Sequence, residues 1–372
     1  MAPLIKTIDE TIREGMQHRG LMFSYAQRLK MVEFMESLGI DVCQAGYPPA
    51  HPSEEEAVKN LNDTCRSRGY RIGIAGMGRA VQKDAESLLE TGIRHFHLHF
   101  HVRESFEPDR FEAVLKETRK TADLLRKRRK RATISMAVLD IGKTGDDFLA
   151  RITDFLIRDT ETDLISLPDT SGIIAPDRIY QRISPLAEKA VKAGKQISVH
   201  CHNDMGMAAA NTFMGIKAGG GVMEASALGI GERNGIADLY PTARILRDNG
   251  FHTDVRVDDM DTFTRYYRFV DQIYREQTGD SLLTYNTPVF GKGGRSHVAG
   301  THAGAGFGTT EEEEYFLNVL CGKKLVKQYL EKHRIPHSTG DIPRIADRIK
   351  ERSAKEFRSL DLEEIRTIAR PD

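Results

Sequence analysis

The sequence predicts an α/β chain: a closed (β/α)8 TIM barrel followed by a small helical C-terminal domain. Three observations carry that prediction. Short β-like runs alternate with longer amphipathic stretches from the start to about residue 250, and the runs number eight: 4–8, 40–44, 71–75, 95–101, 133–139, 164–167, 196–200 and 222–227. Polar clusters stand directly after several of these runs, where a parallel barrel carries its active residues. The alternative, a doubly wound open sheet, usually has fewer strands and a Gly-x-Gly-x-x-Gly turn after the first, and no such turn follows Ile8.

The intervening stretches read as helices. Residues 27–37 place Leu29, Val32, Phe34 and Met35 on one apolar stripe, and Gly39 stops the helix. The segments 54–68, 78–91, 110–127, 146–158, 176–193 and 205–218 follow the same pattern. Past about residue 275 the texture changes, and 286–308 is glycine-rich and reads as an irregular connector. Thr310 with Glu313 three residues on is a capping box, and the acidic run 311–314 puts negative charge at a helix start, so Tyr315 falls early in a helix. Two more helices are expected, over 341–353 and from Asp361, which has Glu364 three residues on. The resulting division is a barrel over 1–275, a connector over 276–308 and a helical subdomain over 309–372.

Composition narrows the class. Of 372 residues, Lys+Arg and Asp+Glu number 54 each, so the formal net charge is zero, which argues against nucleic acid as the main partner. No apolar run approaches the roughly 20 residues a membrane span needs. The N-terminus lacks a basic region followed by an apolar stretch, so no signal peptide is read. The four cysteines (Cys43, Cys65, Cys201, Cys321) are far apart and form no C-x-x-C, as in a reduced cytoplasmic protein. The basic run 126–131 sits at a helix end before the fifth strand and reads as a solvated face.

The richest chemistry lies in His200-Cys201-His202-Asn203-Asp204, after the β-like segment 196–199. Alternate side chains on a strand point the same way, so His200 and His202 project together while Cys201 turns to the other side. Paired imidazoles suit a divalent metal, although two polar loop histidines would look the same. A second cluster, Asp9-Glu10-Thr11-Ile12-Arg13-Glu14-Gly15-Met16-Gln17, follows the first strand. Pro168-Asp169-Thr170-Ser171-Gly172 and Gly229-Ile230-Gly231-Glu232-Arg233-Asn234-Gly235 follow strands six and eight. Two histidines with a carboxylate and open positions for substrate describe a catalytic metal site.

These motifs resemble those of the DRE-TIM metallolyase superfamily. Asp9-x-Thr11-Ile12-Arg13-Glu14-Gly15-x-Gln17 is similar to its opening signature, and the other three runs follow in the family's order. Members, which include isopropylmalate, homocitrate and citramalate synthases and hydroxymethylglutaryl-CoA lyase, bind a divalent metal and make or break carbon–carbon bonds beside carbonyls. The resemblance implies Glu14, His200 and His202 as ligands of a Mg, Mn or Zn ion. Glu at position 14 is similar to the homocitrate synthase branch. Asn234 is a further candidate ligand, with a turn residue as its alternative. Arg13 would face the oxo oxygen, and Thr170 a substrate carboxylate; Gln17, Arg79, Lys143 and His99 complete the candidate substrate contacts. The segment Pro288-Val289-x-Gly291, then His297-x-Ala299-Gly300-Thr301-His302, is similar to the Gly-x-His segment of the condensing enzymes. It implies His302 as the group that aids proton removal from an acetyl group, with Tyr315 as a supporting hydroxyl. The implied reaction joins acetyl-CoA to a 2-oxo acid in a Claisen-type condensation, giving a 2-substituted malate and CoA, on a homodimer. The alternative on the same barrel is a lyase or aldolase, but no glycine-rich loop with a catalytic cysteine follows strand eight. A catalytically silent barrel is the remaining reading. The region after the barrel is too short for a separate regulatory domain as well as a helical subdomain, so no leucine feedback is expected.

Three departures bear on the substrate. Gln44 stands where most of these synthases have glutamate. The segment after strand five reads Leu139-Asp140-Ile141-Gly142-Lys143-Thr144 instead of an acidic pair followed by arginine and serine. Strand four reads His95-x-His97-x-His99-x-His101, with all four histidines on one face. Hydrogen-bonded barrel histidines or a substrate anion contact explain them better than a second metal. Together these departures point to a 2-oxo acid bearing a carboxylate or phosphonate.

Overall fold

Eight strands follow one another around a closed, fully parallel barrel: β1 (Lys6–Asp9), β2 (Val42–Gln44), β3 (Gly73–Arg79), β4 (His95–Phe100), β5 (Thr133–Val138), β6 (Leu164–Asp169), β7 (Gln196–Cys201) and β8 (Val222–Ala225). The structure, a computed structural model, describes residues 4–138, 140–297 and 314–370. β8 closes on β1, with Lys6 opposite Val222 and Asp9 opposite Ala225. Two compact units result, Met1–Leu282 and Leu283–Asp372.

Strand parity builds the barrel interior in layers. Ile8, Val42, Ala75, Leu164 and Val222 pack together as one apolar layer. Two residues further along the same strands, and so on the same inner side, stand Glu10, Gln44, Met77, Ser166 and Glu224. Four of these five are polar and buried. The apolar layer thus forms a buried plug, and the polar layer above it is the floor of the site.

α1 (Thr11–Gly15) sits at the barrel mouth, and the longer helices cover the outside: α2 (Tyr25–Leu38), α3 (Pro52–Ser67), α4 (Gln82–Glu90), α5 (Pro108–Arg128), α6 (Asp146–Arg158), α7 (Pro176–Lys192), α8 (Ala208–Lys217), α9 (Leu239–Asp248) and α10 (Met260–Thr278). α2 begins in a capping box of Ser24 and Gln27 and ends at Gly39, whose φ of 77° needs no Cβ to be accommodated. Its buried face holds Met31, Val32, Phe34, Met35 and Leu38, while Leu29 is only half-buried. The basic run at the end of α5 is partly structural, since Arg126 donates to the Ala132 carbonyl at 2.7 Å and to Asp163 at 2.6 Å.

Two boundaries differ from expectation. β3 continues to Arg79, where a helix was expected from residue 78, because its ladder with β4 persists to the Arg79–His99 pair. Glycine at 76 and 78 lets Leu88 of α4 lie directly on that strand, as a Cβ at Gly76 would sit 2.9 Å from Leu88. The Arg13-Glu14 segment, given no element in the sequence reading, is the short helix α1. α10 runs past residue 275 and belongs with the barrel.

In the second unit, β9 (Ser296–His297) pairs in parallel with β10 (Glu314–Tyr315), and α11 (Lys323–Lys332), α12 (Ile342–Glu356) and α13 (Leu362–Ala369) follow. Leu317, Val326, Leu330, Ile345, Ile349 and Ile365 belong to its core. The capping box of Asp361 and Glu364 forms as expected. Tyr315 lies in β10, not in a helix, because its backbone pairs with the residue 297 register of β9; Thr310 and Glu313 lie outside the described residues. No helix among the described residues is long and apolar enough to cross a membrane.

Candidate active site

The site is built where β7 and α1 meet. β7 carries His200 into the barrel mouth and His202 follows on the same side, so their Nε2 atoms lie 3.3 Å apart. Cys201 is buried on the opposite side, and burial pushes its thiol well above the ordinary range. α1 supplies Glu14, whose Oε1 is 4.0 Å from His200 Nε2. Glu14, His200 and His202 are all buried and offer three donor atoms within 4.8 Å of one another. At a metal–nitrogen distance of about 2.0–2.1 Å, two tetrahedral imidazole ligands stand about 3.4 Å apart. The two Nε2 atoms match that separation, and as two lone pairs they would repel each other unless a proton or an ion lay between them. Donor set, spacing and burial therefore fit a divalent cation.

Beneath the histidines, two carboxylates flank His200 Nδ1 at ion-pair distance, neither aligned for a hydrogen bond. His200 Nδ1 lies 3.1 Å from Glu10 Oε2 and 3.1 Å from Glu224 Oε2. Burial disfavours a charged His200, but the two carboxylates outweigh it and push its pKa up to about 10. Burial and the His200 charge push His202 down to about 3. Without metal, His200 holds the proton that lies between the two rings. Burial also opposes ionised Glu224, yet its attraction to His200 wins and lowers its pKa, and Ser166 Oγ donates to its other oxygen at 2.9 Å.

Arg13 is locked among four acceptors. Its guanidinium donates to Glu10 at 2.5 Å and Gln17 at 2.8 Å, and also to Glu14 and Gln44. Gln44 in turn donates to Glu10 at 2.8 Å, so an amide at that position links cation and carboxylate without adding a charge. Burial alone would lower the Arg13 pKa, and Glu10, Glu14 and Glu224 reverse this.

A cavity of about 220 Å3 opens above this floor. Glu14, His200 and His202 line one side of it, and Tyr47, His97 and His99 line another. Gln17 and Thr170 also face it. Thr170 Oγ1 accepts from the Asp140 amide at 3.0 Å, and Asp140 holds a left-handed φ of 55°. A larger cleft, about 980 Å3, runs between α5 and α6, but charged surface side chains such as Lys116, Arg119 and Arg151 line it, and none of the metal-capable groups does.

Three sequence candidates, all in the barrel unit, do not line the cavity. Arg79 is exposed and clamped on Asp84 at 2.9 and 2.8 Å. Lys143 is exposed, 3.8 Å from Asp140. Asn234 is exposed and its amide donates to the Asp204 carbonyl at 3.4 Å, so its side chain is spent on a turn. Tyr315 belongs to the second unit, where Lys332 lies 5.5 Å from its ring centre. His302 lies outside the described residues. Conversely, Glu10 and Glu224 were not assigned roles from the sequence. Parity could have found Glu224: it stands two residues after Val222 on the same inner face of an otherwise apolar strand.

Comparison with known proteins agrees with this geometry. The HMGL-like family model matches residues 4–266. The chain is 27% identical to a probable 2-isopropylmalate synthase of Methanosarcina acetivorans, over 93% of this chain and 68% of that protein. It is 29% identical to the homocitrate synthase of Pyrococcus abyssi, over 88% of this chain and 90% of that one. Among solved structures, hydroxymethylglutaryl-CoA lyase from Pseudomonas aeruginosa superposes with a TM-score of 0.61 at 18% identity, covering 75% of this chain and 95% of the lyase; at that identity the likeness is one of fold. The family match spans the whole barrel and contains Glu14, His200 and His202. This chain belongs to the HMGL-like, or DRE-TIM metallolyase, family.

Proposed function

We propose that the protein catalyses a metal-dependent Claisen-type condensation of acetyl-CoA with a 2-oxo acid, releasing CoA and a 2-substituted malate. The observation that carries this reading is the buried Glu14, His200 and His202 set beside the locked Arg13 guanidinium at one cavity. Relatives named as isopropylmalate and homocitrate synthases support condensation over cleavage.

A Mg, Mn or Zn ion held by Glu14, His200 and His202 supplies Lewis-acid polarisation of the acceptor's ketone. The remaining work falls to the chain. The charges of Glu10 and Glu224, each 3.1 Å from His200 Nδ1, favour the tautomer protonated there, which would leave Nε2 free to hold the ion. Arg13, fixed by its acceptors, faces the oxygen that becomes an alkoxide and needs no reorganisation to stabilise it. Thr170 hydrogen-bonds the acceptor's carboxylate. His302 takes the acetyl methyl proton, a role assigned from its Gly-x-His context. The resulting enolate carbon bonds to the ketone carbon, and water cleaves the thioester to carboxylate and free thiol. The working enzyme is a homodimer.

The test is thiol release from acetyl-CoA with a panel of 2-oxo acids, with and without added Mg, Mn or Zn. Release that requires both one acid and the ion supports the proposal. No release with any acid by metal-loaded protein would favour a lyase.

A further inference from the structure

Catalysis as described uses no group from the outer helix layer, yet one buried cation there reaches the loops of the barrel mouth. Arg182 of α7 is 7% exposed along its side chain and does not line the active-site cavity. Its guanidinium donates to the carbonyls of Ile141 and Thr144, both in the turn between β5 and α6, and lies 2.7 Å from Asp146 at the start of α6. One planar fork thus holds two carbonyls of one turn, which a point charge does less well. The other side of the turn is tied to β6. Ile141 donates to the Pro168 carbonyl at 2.9 Å, and the Ser171 hydroxyl donates to the Asp140 carboxylate at 2.7 Å. Between these ties Asp140 holds a left-handed φ of 55°, an uncommon conformation for a residue with a Cβ. In that conformation its amide donates to Thr170 Oγ1 at 3.0 Å.

A hydroxyl has one proton and two lone pairs. The Asp140 amide fills one lone pair of Thr170, and no acceptor among the described residues takes the hydroxyl proton. Thr170 lines the cavity, so that proton is available to a bound molecule. We propose that Arg182 is a positioning residue for the acceptor: through the β5–α6 turn and the Asp140 amide it fixes the direction in which Thr170 donates, an assignment that rests on the condensation reading for what Thr170 holds. Direction matters because a hydrogen bond weakens steeply as it bends, and a bond to an ionised carboxylate is among the stronger ones. Arg182 is hydrogen-bonded to none of Glu14, His200 and His202, so its loss acts on the acid and not on the metal.

The experiment uses the full chain loaded with Mn, as wild type, Arg182→Met, Thr170→Val and the double variant. Hydrogen-exchange mass spectrometry over residues 140–146 reads the turn itself. Steady-state thiol release with oxaloacetate, 2-oxoglutarate, pyruvate and 2-oxoisovalerate reads the acceptor. Arg182→Met should speed exchange across the turn by about 10-fold or more. It should raise KM for the accepted acid about 10-fold, with kcat within about threefold and with KM for acetyl-CoA and metal content unchanged. In the Thr170→Val background the same change should cost less than about twofold in KM, since the contact it serves is gone. Arg182→Lys keeps the charge but not the fork, so it should fall between wild type and Arg182→Met, and it takes the place of the methionine variant should that one not fold. Unchanged exchange overturns the proposal. So does a KM penalty equal in both backgrounds, which is what a staple of the fold alone would give. Thiol release with none of the acids by wild type would retire the condensation reading; calorimetric titration of the same acids then replaces KM with Kd, and the same coupling to Thr170 decides the role of Arg182. Binding of none of the acids overturns that role as well.

Discussion

Replacing Glu224 with Gln should weaken the metal site without touching a ligand. Glu224 is 1% exposed, and its Oε2 sits 3.1 Å from His200 Nδ1. At that separation the carboxylate attracts the polar Nδ1–H of a neutral imidazole, which orients the ring and raises the basicity of Nε2 as a ligand. Gln keeps the volume and an acceptor for the Nδ1 proton but drops the charge. Glu10 stays 3.1 Å from the same nitrogen, yet it is already engaged by Arg13 and Gln44. Only part of the attraction is therefore lost, and a fall of about 10- to 100-fold in metal affinity is expected, the range seen for removing such supporting carboxylates. Competition against a chromophoric chelator at fixed pH measures it. Affinity within twofold of wild type, in a folded variant, would refute the reasoning and hand the orienting role to Glu10.

Three other perturbations follow from the same contacts. Arg13→Lys replaces a fork with four acceptors by a point charge, so kcat should fall about 100- to 1,000-fold while metal binding persists, as steady-state kinetics and metal analysis would check. Gly235→Ala should lose at least about 2 kcal/mol of stability in urea titrations, since φ is +79° and a Cβ would lie 1.8 Å from the Gly229 carbonyl oxygen. Asp9 is fully buried, and burial raises its pKa from 3.8 to about 6, against hydrogen bonds from Thr11 and Tyr266. Its contribution to stability is complete below about pH 4 and falls as pH rises through about 6, by about 3 kcal/mol in all. Asp9→Asn should flatten that part of the stability–pH curve, and an identical slope in both proteins would contradict the assignment.

The barrel was legible because its signals are periodic. Alternation of β-like and amphipathic runs finds all eight strands, with ends displaced by a few residues where glycine lets a helix pack close, as at Gly76 and Gly78. The pairing of His200 with His202 also follows from parity alone. Glu10 and Glu224 were harder to read, because the meaning of each depends on His200, which only the β1–β8–β7 neighbourhood brings close. Arg79, Lys143 and Asn234 have the right chemistry at the right strand ends, but each is diverted by a local partner: Asp84, Asp140 and the Asp204 carbonyl. Sequence spacing places a side chain near a mouth; the nearest charge decides whether it faces in.

The central claim is condensation rather than cleavage, and carbon labelling tests it most directly. Acetyl-CoA labelled with 13C at both acetyl carbons would be incubated with metal-loaded enzyme and an accepted 2-oxo acid, and followed by NMR. Condensation predicts one free CoA for each new tertiary alcohol, with both labelled carbons in a CH2–carboxylate attached to the former ketone carbon. Label that remains in acetyl-CoA, together with cleavage of a 3-hydroxyacyl thioester by the same preparation, would contradict it.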